Sequence, residues 1–151
     1  MKLKFIFGLL ILLGLSYQVQ AQHDKDDDLY YWKILSKVQK KTTFTDDGEI
    51  ITTPVFSKVI ENLEGKDIIL KGYVIPADLT GGVMSLSAFP YSSCFFCGGA
   101  GPESVVEIKA ATPIIYRLDK FIVLQGKLKL NRTDPLRLMY ILEDATYYVE
   151  K

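Results

Sequence analysis

The chain has 151 residues, 48% apolar and 24% charged, with basic and acidic side chains equal at 18 each. That length and mixture suit one globular domain with a modest core and argue against two. The charge pattern excludes a grip on a phosphate backbone, because Lys127, Lys129, Arg132 and Arg137 are scattered among apolar residues and carboxylates rather than clustered.

The first stretch, MKLKFIFGLLILLGLSYQVQAQ, carries Lys2 and Lys4, an apolar run from Phe5 to Leu15, and small side chains at Val19 and Ala21. The run is too short for a membrane-spanning helix and has the layout of a signal peptide over 1–21, cut after Ala21. The expected address is therefore outside the cytoplasm, periplasmic or extracellular, with nothing left in the membrane after cleavage. Loss of Lys2 and Lys4 leaves the remainder slightly acidic. Residues 22–28, QHDKDDD, read as an acidic tail.

From Leu29 to Lys40 the apolar residues Leu29, Trp32, Leu35 and Val38 recur three apart, which predicts a helix with its lysines off the apolar stripe. TTFTDDGEIITTP alternates about Asp47-Gly48 and predicts a hairpin. Pro54 is placed at the start of a second helix carrying Val55, Val59, Ile60 and Leu63, stopped by Gly65. Five strand-like runs follow: DIILKGYVIP, GVMSLSAFP, ESVVEIKA, KFIVLQGKLKL and LRLMYILEDATYYVE, separated by Gly, Pro, Asn and Asp signals. TPIIYRLDK, between the third and fourth runs, reads as a short helix or a turn. Five strands in this order predict a mainly β domain over 29–151, a small OB-like five-stranded barrel with an N-terminal helix and one or two short helices. Leu70, Val74, Val106, Ile108, Val123 and Leu128 are the expected interior. The many tyrosines and phenylalanines are assigned to strand packing, since stacking on single-stranded nucleic acid also needs a basic groove.

Chemistry concentrates in PYSSCFFCGGAGPES, which holds the only two cysteines, Cys94 and Cys97. Residues three apart on a strand point to opposite faces, so the two sulfurs converge only through a turn, and Gly98, Gly99 and Gly101 favour one. A concavity of backbone N–H groups there is expected to lower a thiol pKa. A structural disulfide suits an exported chain but stabilises weakly when it closes so short a loop. A redox pair suits vicinal cysteines, although the motif opens no helix of a βαβ frame as thioredoxin does. A metal half-site suits two thiolates separated by two residues, with Glu103 and water completing a Zn shell, or two chains sharing the ion, or Cu(I) needing fewer soft ligands. A nucleophilic enzyme lacks its base, because the one histidine, His23, lies in the acidic tail.

The segments Gly65 to Pro76, Pro90 to Cys94 and Val123 to Leu128 carry a "GK-V-L-GY-IP" strand, a "PY-x-x-C" segment and a "V-L-x-G-x-L" strand. In these, over Lys58 to Tyr148, the chain resembles a family of small exported bacterial proteins with an OB-like domain of unknown function. The resemblance implies an accessory role beside membrane transport or envelope complexes that handle metals or lipoproteins. Cys94 carries over from the family pattern. Cys97 does not, because the commoner pattern has one cysteine followed by His and a proline run, where this chain has Phe95, Phe96 and Cys97. The expectation taken forward is a non-enzymatic soft-metal site of Cys94, Cys97 and Glu103 for Zn or Cu(I), with a redox pair and a structural disulfide as alternatives.

Overall fold

Five strands close into a barrel: β3 (Asp67–Ala77), β4 (Val83–Ser87), β5 (Val105–Ala110), β6 (Phe121–Leu130) and β7 (Tyr140–Tyr147). Around the barrel the order is β3-β4-β5-β7-β6, with β6 returning to β3. All neighbours are antiparallel except β5 and β7, which run parallel. This mainly β, five-stranded closed barrel is the OB-like architecture expected from the order of runs. Before it come α1 (Tyr30–Leu35), a separate two-stranded sheet of β1 (Gln39–Phe44) and β2 (Ile50–Val55), and α2 (Lys58–Glu61). The computed structural model describes residues 29–77, 83–115 and 117–150. The expected signal peptide and the acidic tail with His23 lie outside them. The chain divides into two units, Met1–Tyr30 and Tyr31–Lys151, and the barrel belongs to the second. Among the described residues no helix is long and apolar enough to cross a membrane.

Alternation builds the barrel. Along β6, Ile122, Leu124, Leu128 and Leu130 are buried while Phe121, Gln125, Lys127 and Lys129 face out, the period of two that a one-sided strand requires. Val123 is therefore half-buried on the outer face rather than interior, and Ile122 and Leu124 take the core positions instead. Leu70, Val74, Val106, Ile108 and Leu128 are in the core as expected. In β7 the core positions are Tyr140, Leu142 and then Ala145. The extra residue follows from a bulge opposite Gln125–Lys127, with Asp144 at φ 53°. Gly72 in β3 makes the β3–β4 approach possible, because a Cβ there would collide with the Ser87 carbonyl oxygen.

The N-terminal elements are shorter than their periodicity predicts. The helix ends at Leu35, not Lys40, and residues 39–44 join β1. Two forces favour this division. Trp32 and Leu35 are already buried, the Trp32 indole N–H donates to the Lys71 carbonyl at 2.8 Å, and the Leu35 carbonyl accepts from the Tyr140 hydroxyl at 2.7 Å. Beyond Val38, the Thr-rich chain gains six paired positions with β2, from Gln39↔Val55 to Phe44↔Ile50. Pro54 consequently lies in β2, in a ribbon with free edges that tolerates a missing N–H, and α2 starts only at Lys58. Val55 and Val59 are exposed as a result, and Ile60 alone of that expected face is fully buried. TPIIYRLDK forms no helix among its described residues and turns near Asp119.

Candidate functional site

The connection from β4 to β5, residues 88–104, carries both cysteines. Its base is closed by the Ala88 N–H to the Ser104 carbonyl at 3.0 Å, and the Ser87 hydroxyl accepts from the Phe89 N–H at 3.1 Å. Three single 3-10 turns fill it, at Tyr91–Ser93, Phe95–Cys97 and Pro102–Ser104. Pro90 fixes the entry to the first turn, and its carbonyl accepts from the Ser93 N–H at 2.9 Å.

Cys94 stands extended between the first two turns and its carbonyl accepts from the Cys97 N–H at 3.2 Å and the Gly99 N–H at 3.1 Å. That double acceptance reverses the chain within four residues. It requires Gly98 at φ 77° and a Gly99 whose added Cβ would lie 2.7 Å from the Ser93 carbonyl oxygen. The turn that convergence of the sulfurs demanded is present. Both cysteines are thiols, Cys94 buried with no exposed surface and Cys97 exposed, and their side chains are hydrogen-bonded to one another.

The electrostatics run against the sequence expectation. The Cys97 thiol is pushed up, first by desolvation, then by the hydrogen bond and charge of Cys94. A hydrogen bond from the Tyr91 side chain opposes this in part. Backbone N–H groups of the glycine turn are directed to the Cys94 and Phe95 carbonyls rather than to a sulfur, which explains why no anion-favouring concavity forms there.

Glu103 sits in the third turn and pairs with Lys40 of β1 at 3.2 Å. Among the described residues no three His, Cys, Asp or Glu side chains are grouped as a metal site. The structure thus brings Cys94 and Cys97 together and directs Glu103 to the hairpin lysine. Two contributors were not legible beforehand. Tyr91 touches Cys97, and its own N–H is held by the Asp119 carboxylate at 2.8 Å, which a turn at φ 58° presents from between β5 and β6. No spacing in the sequence links positions 91 and 119.

Beneath this region the barrel wall is buried on both sides. Met84 and Leu86 of β4 and Val106 and Ile108 of β5 face the core, yet Ser85, Ser87, Val105 and Glu107 between them are buried too. The Ser85 hydroxyl is satisfied by the Ile75 carbonyl at 3.0 Å, and Glu107 by a two-point ion pair with Arg137, whose Nε lies 2.8 Å away. Cys94 is likewise buried but is not part of the main core cluster.

No family model, curated protein or solved structure matches the chain.

Proposed function

We propose that this is an exported, non-enzymatic accessory protein whose Cys94–Cys97 dithiol binds a soft metal ion, Cu(I) in preference to Zn(II), in metal handling beside an envelope or membrane transport complex. The observation that carries this reading is the contact between the two thiols in a turn tied back to one carbonyl. Two thiolates satisfy Cu(I), whereas Zn(II) asks for four ligands, and the grouped donors here are two sulfurs. The contact with Cys94 that helps hold the Cys97 thiol protonated is one a soft cation would relieve, by taking the place of the thiol protons. Glu103 would serve as a further donor only on leaving Lys40.

The test is anaerobic competition between reduced protein and a chromophoric Cu(I) chelator. One Cu(I) per chain is expected, with most of the affinity lost in both Cys94→Ser and Cys97→Ser and kept in Glu103→Gln. Reduced wild type that takes no Cu(I) from the chelator, while folded by circular dichroism, ends this reading. The resemblance to small exported proteins and the export itself are tested by the mass of the mature protein, expected to begin at Gln22.

A further inference from the structure

The β1–β2 ribbon exposes Phe44, Ile50 and Ile51, but Lys40 and Lys41 on one strand and Pro54 on the other guard its edges. The Tyr73–Phe121 edge-to-face pair, 5.2 Å between centroids, is an ordinary cross-strand contact on the outer face of β3 and β6. The cysteine turn carries more, because its two sulfurs differ in a way that metal binding alone does not require.

We infer that the turn is a dithiol–disulfide switch with fixed roles: exposed Cys97 is the sulfur that attacks a small disulfide of the glutathione class, and buried Cys94 is the thiol that resolves the adduct. This rests on the Cys94–Cys97 pair being the metal site, and names how that site is closed. Three features support it. The Cys97 N–H to Cys94 carbonyl bond makes residues 94–97 a tight turn, which keeps the first and fourth Cα atoms within about 7 Å. A disulfide spans about 4.4 to 6.8 Å between Cα atoms, so the bond forms with little movement of the backbone. The side chains already touch. Only Cys97 is open to a molecule as large as glutathione, since Cys94 has no exposed surface.

The chemistry balances in two exchanges. Deprotonated Cys97 attacks one sulfur of oxidised glutathione, the glutathione S–S bond breaks, and one glutathione leaves with the electron pair and takes up a proton. Cys94, losing its proton, then attacks the Cys97 sulfur of the mixed disulfide. The Cys97–glutathione bond breaks and the second glutathione leaves as a thiol. The protein pair is oxidised by two electrons and the glutathione disulfide is reduced by two. With both sulfurs in a covalent bond no thiolate remains for a metal, so closing the switch discharges the site.

The experiment is a time course of reduced full-length mature protein with oxidised glutathione, quenched by alkylation and read by intact mass and peptide mapping. Wild type should pass through a single glutathione adduct mapped to Cys97 and end two hydrogens lighter than the dithiol. Cys94→Ser should stop at a stable Cys97 adduct, and Cys97→Ser should react at least about tenfold more slowly. Should Cys94→Ser prove unfolded, the mapped wild-type adduct decides alone. An adduct on Cys94, equal rates in the two variants, or a wild-type adduct that never resolves overturns the proposal. A protein that follows this course but takes no Cu(I) from a chelator keeps the switch and loses the metal reading; one that binds Cu(I) and forms no internal disulfide does the reverse.

Discussion

Tyr140→Phe deletes one oxygen from the middle of the molecule. The hydroxyl is buried and donates to the Leu35 carbonyl at 2.7 Å, joining β7 to the end of α1 across 105 positions in sequence. A hydrogen bond of this kind contributes about 1 kcal/mol net, and the loss climbs toward about 3 kcal/mol when the abandoned partner is left bare. The Leu35 carbonyl keeps another donor, the Val38 N–H at 3.3 Å. The loss near neutral pH should therefore stay close to about 1 kcal/mol, or about 4 °C in melting temperature. Burial, and then the negative charge of Glu103, raise the Tyr140 pKa well above its ordinary range. The folded protein thus keeps this proton where the unfolded chain, titrating near about pH 10, releases it. Stabilisation from the tyrosine is complete below that point and falls by about 1.4 kcal/mol for each pH unit above it. Wild type should be the more stable at about pH 8, equal to the variant near about pH 11, and the less stable beyond. Urea unfolding of both proteins across that range reads the gap directly. A gap that stays constant to the highest pH, or no gap at about pH 8, would refute the reasoning.

The two cysteines should differ in stability as they do in exposure. Cys94→Ser buries a hydroxyl in place of sulfur and should cost about 1 to 2 kcal/mol in urea unfolding of metal-free reduced protein, while Cys97→Ser should stay within about 0.5 kcal/mol. Gly72→Ala forces a methyl group against the Ser87 backbone and should cost about 1 to 3 kcal/mol by the same measurement, with intact far-UV circular dichroism. The Arg132 hydrogen bond, partly opposed by burial and reinforced by the Arg132 charge, holds Glu64 below the usual carboxylate range. Its contribution is present above the unfolded value and lost as pH falls through the lowered one. Glu64→Gln should cost about 0.5 kcal/mol near neutral pH, the pair being partly exposed, and nothing by about pH 2, as read by thermal melts.

The barrel was legible because its strands are punctuated by Gly, Pro, Asn and Asp and because runs such as Phe121–Leu130 alternate. Propensity misled where a second element competed for the same residues. Val38 continues the apolar helical spacing, yet pairing with β2 takes Gln39 and Lys40 after it into a strand. Val123 sits in the apolar run Phe121–Leu124, which hides the period, and only the burial along the whole strand shows that Ile122 and Leu124 are the two that face in. The convergence of Cys94 and Cys97 followed from the glycines. Their unequal burial did not, since both lie in the same glycine-rich connection and no local spacing tells which of the two is covered. The contact of Asp119 with the Tyr91 backbone spans 28 positions and leaves no local mark.

The place of β7 sets an order for assembly. The last strand to be synthesised inserts between β5 and β6, parallel to one and antiparallel to the other. Until Tyr140 and its successors arrive, those two strands each hold an open row of N–H and C=O groups, a template for pairing with any other chain nearby. The sheet therefore cannot seal itself piecemeal during synthesis. A chain held unfolded until complete, as passage through a narrow translocation channel would require, avoids exposing that half-built sheet, and a chain cut short before Tyr140 is expected to aggregate rather than persist as a smaller domain.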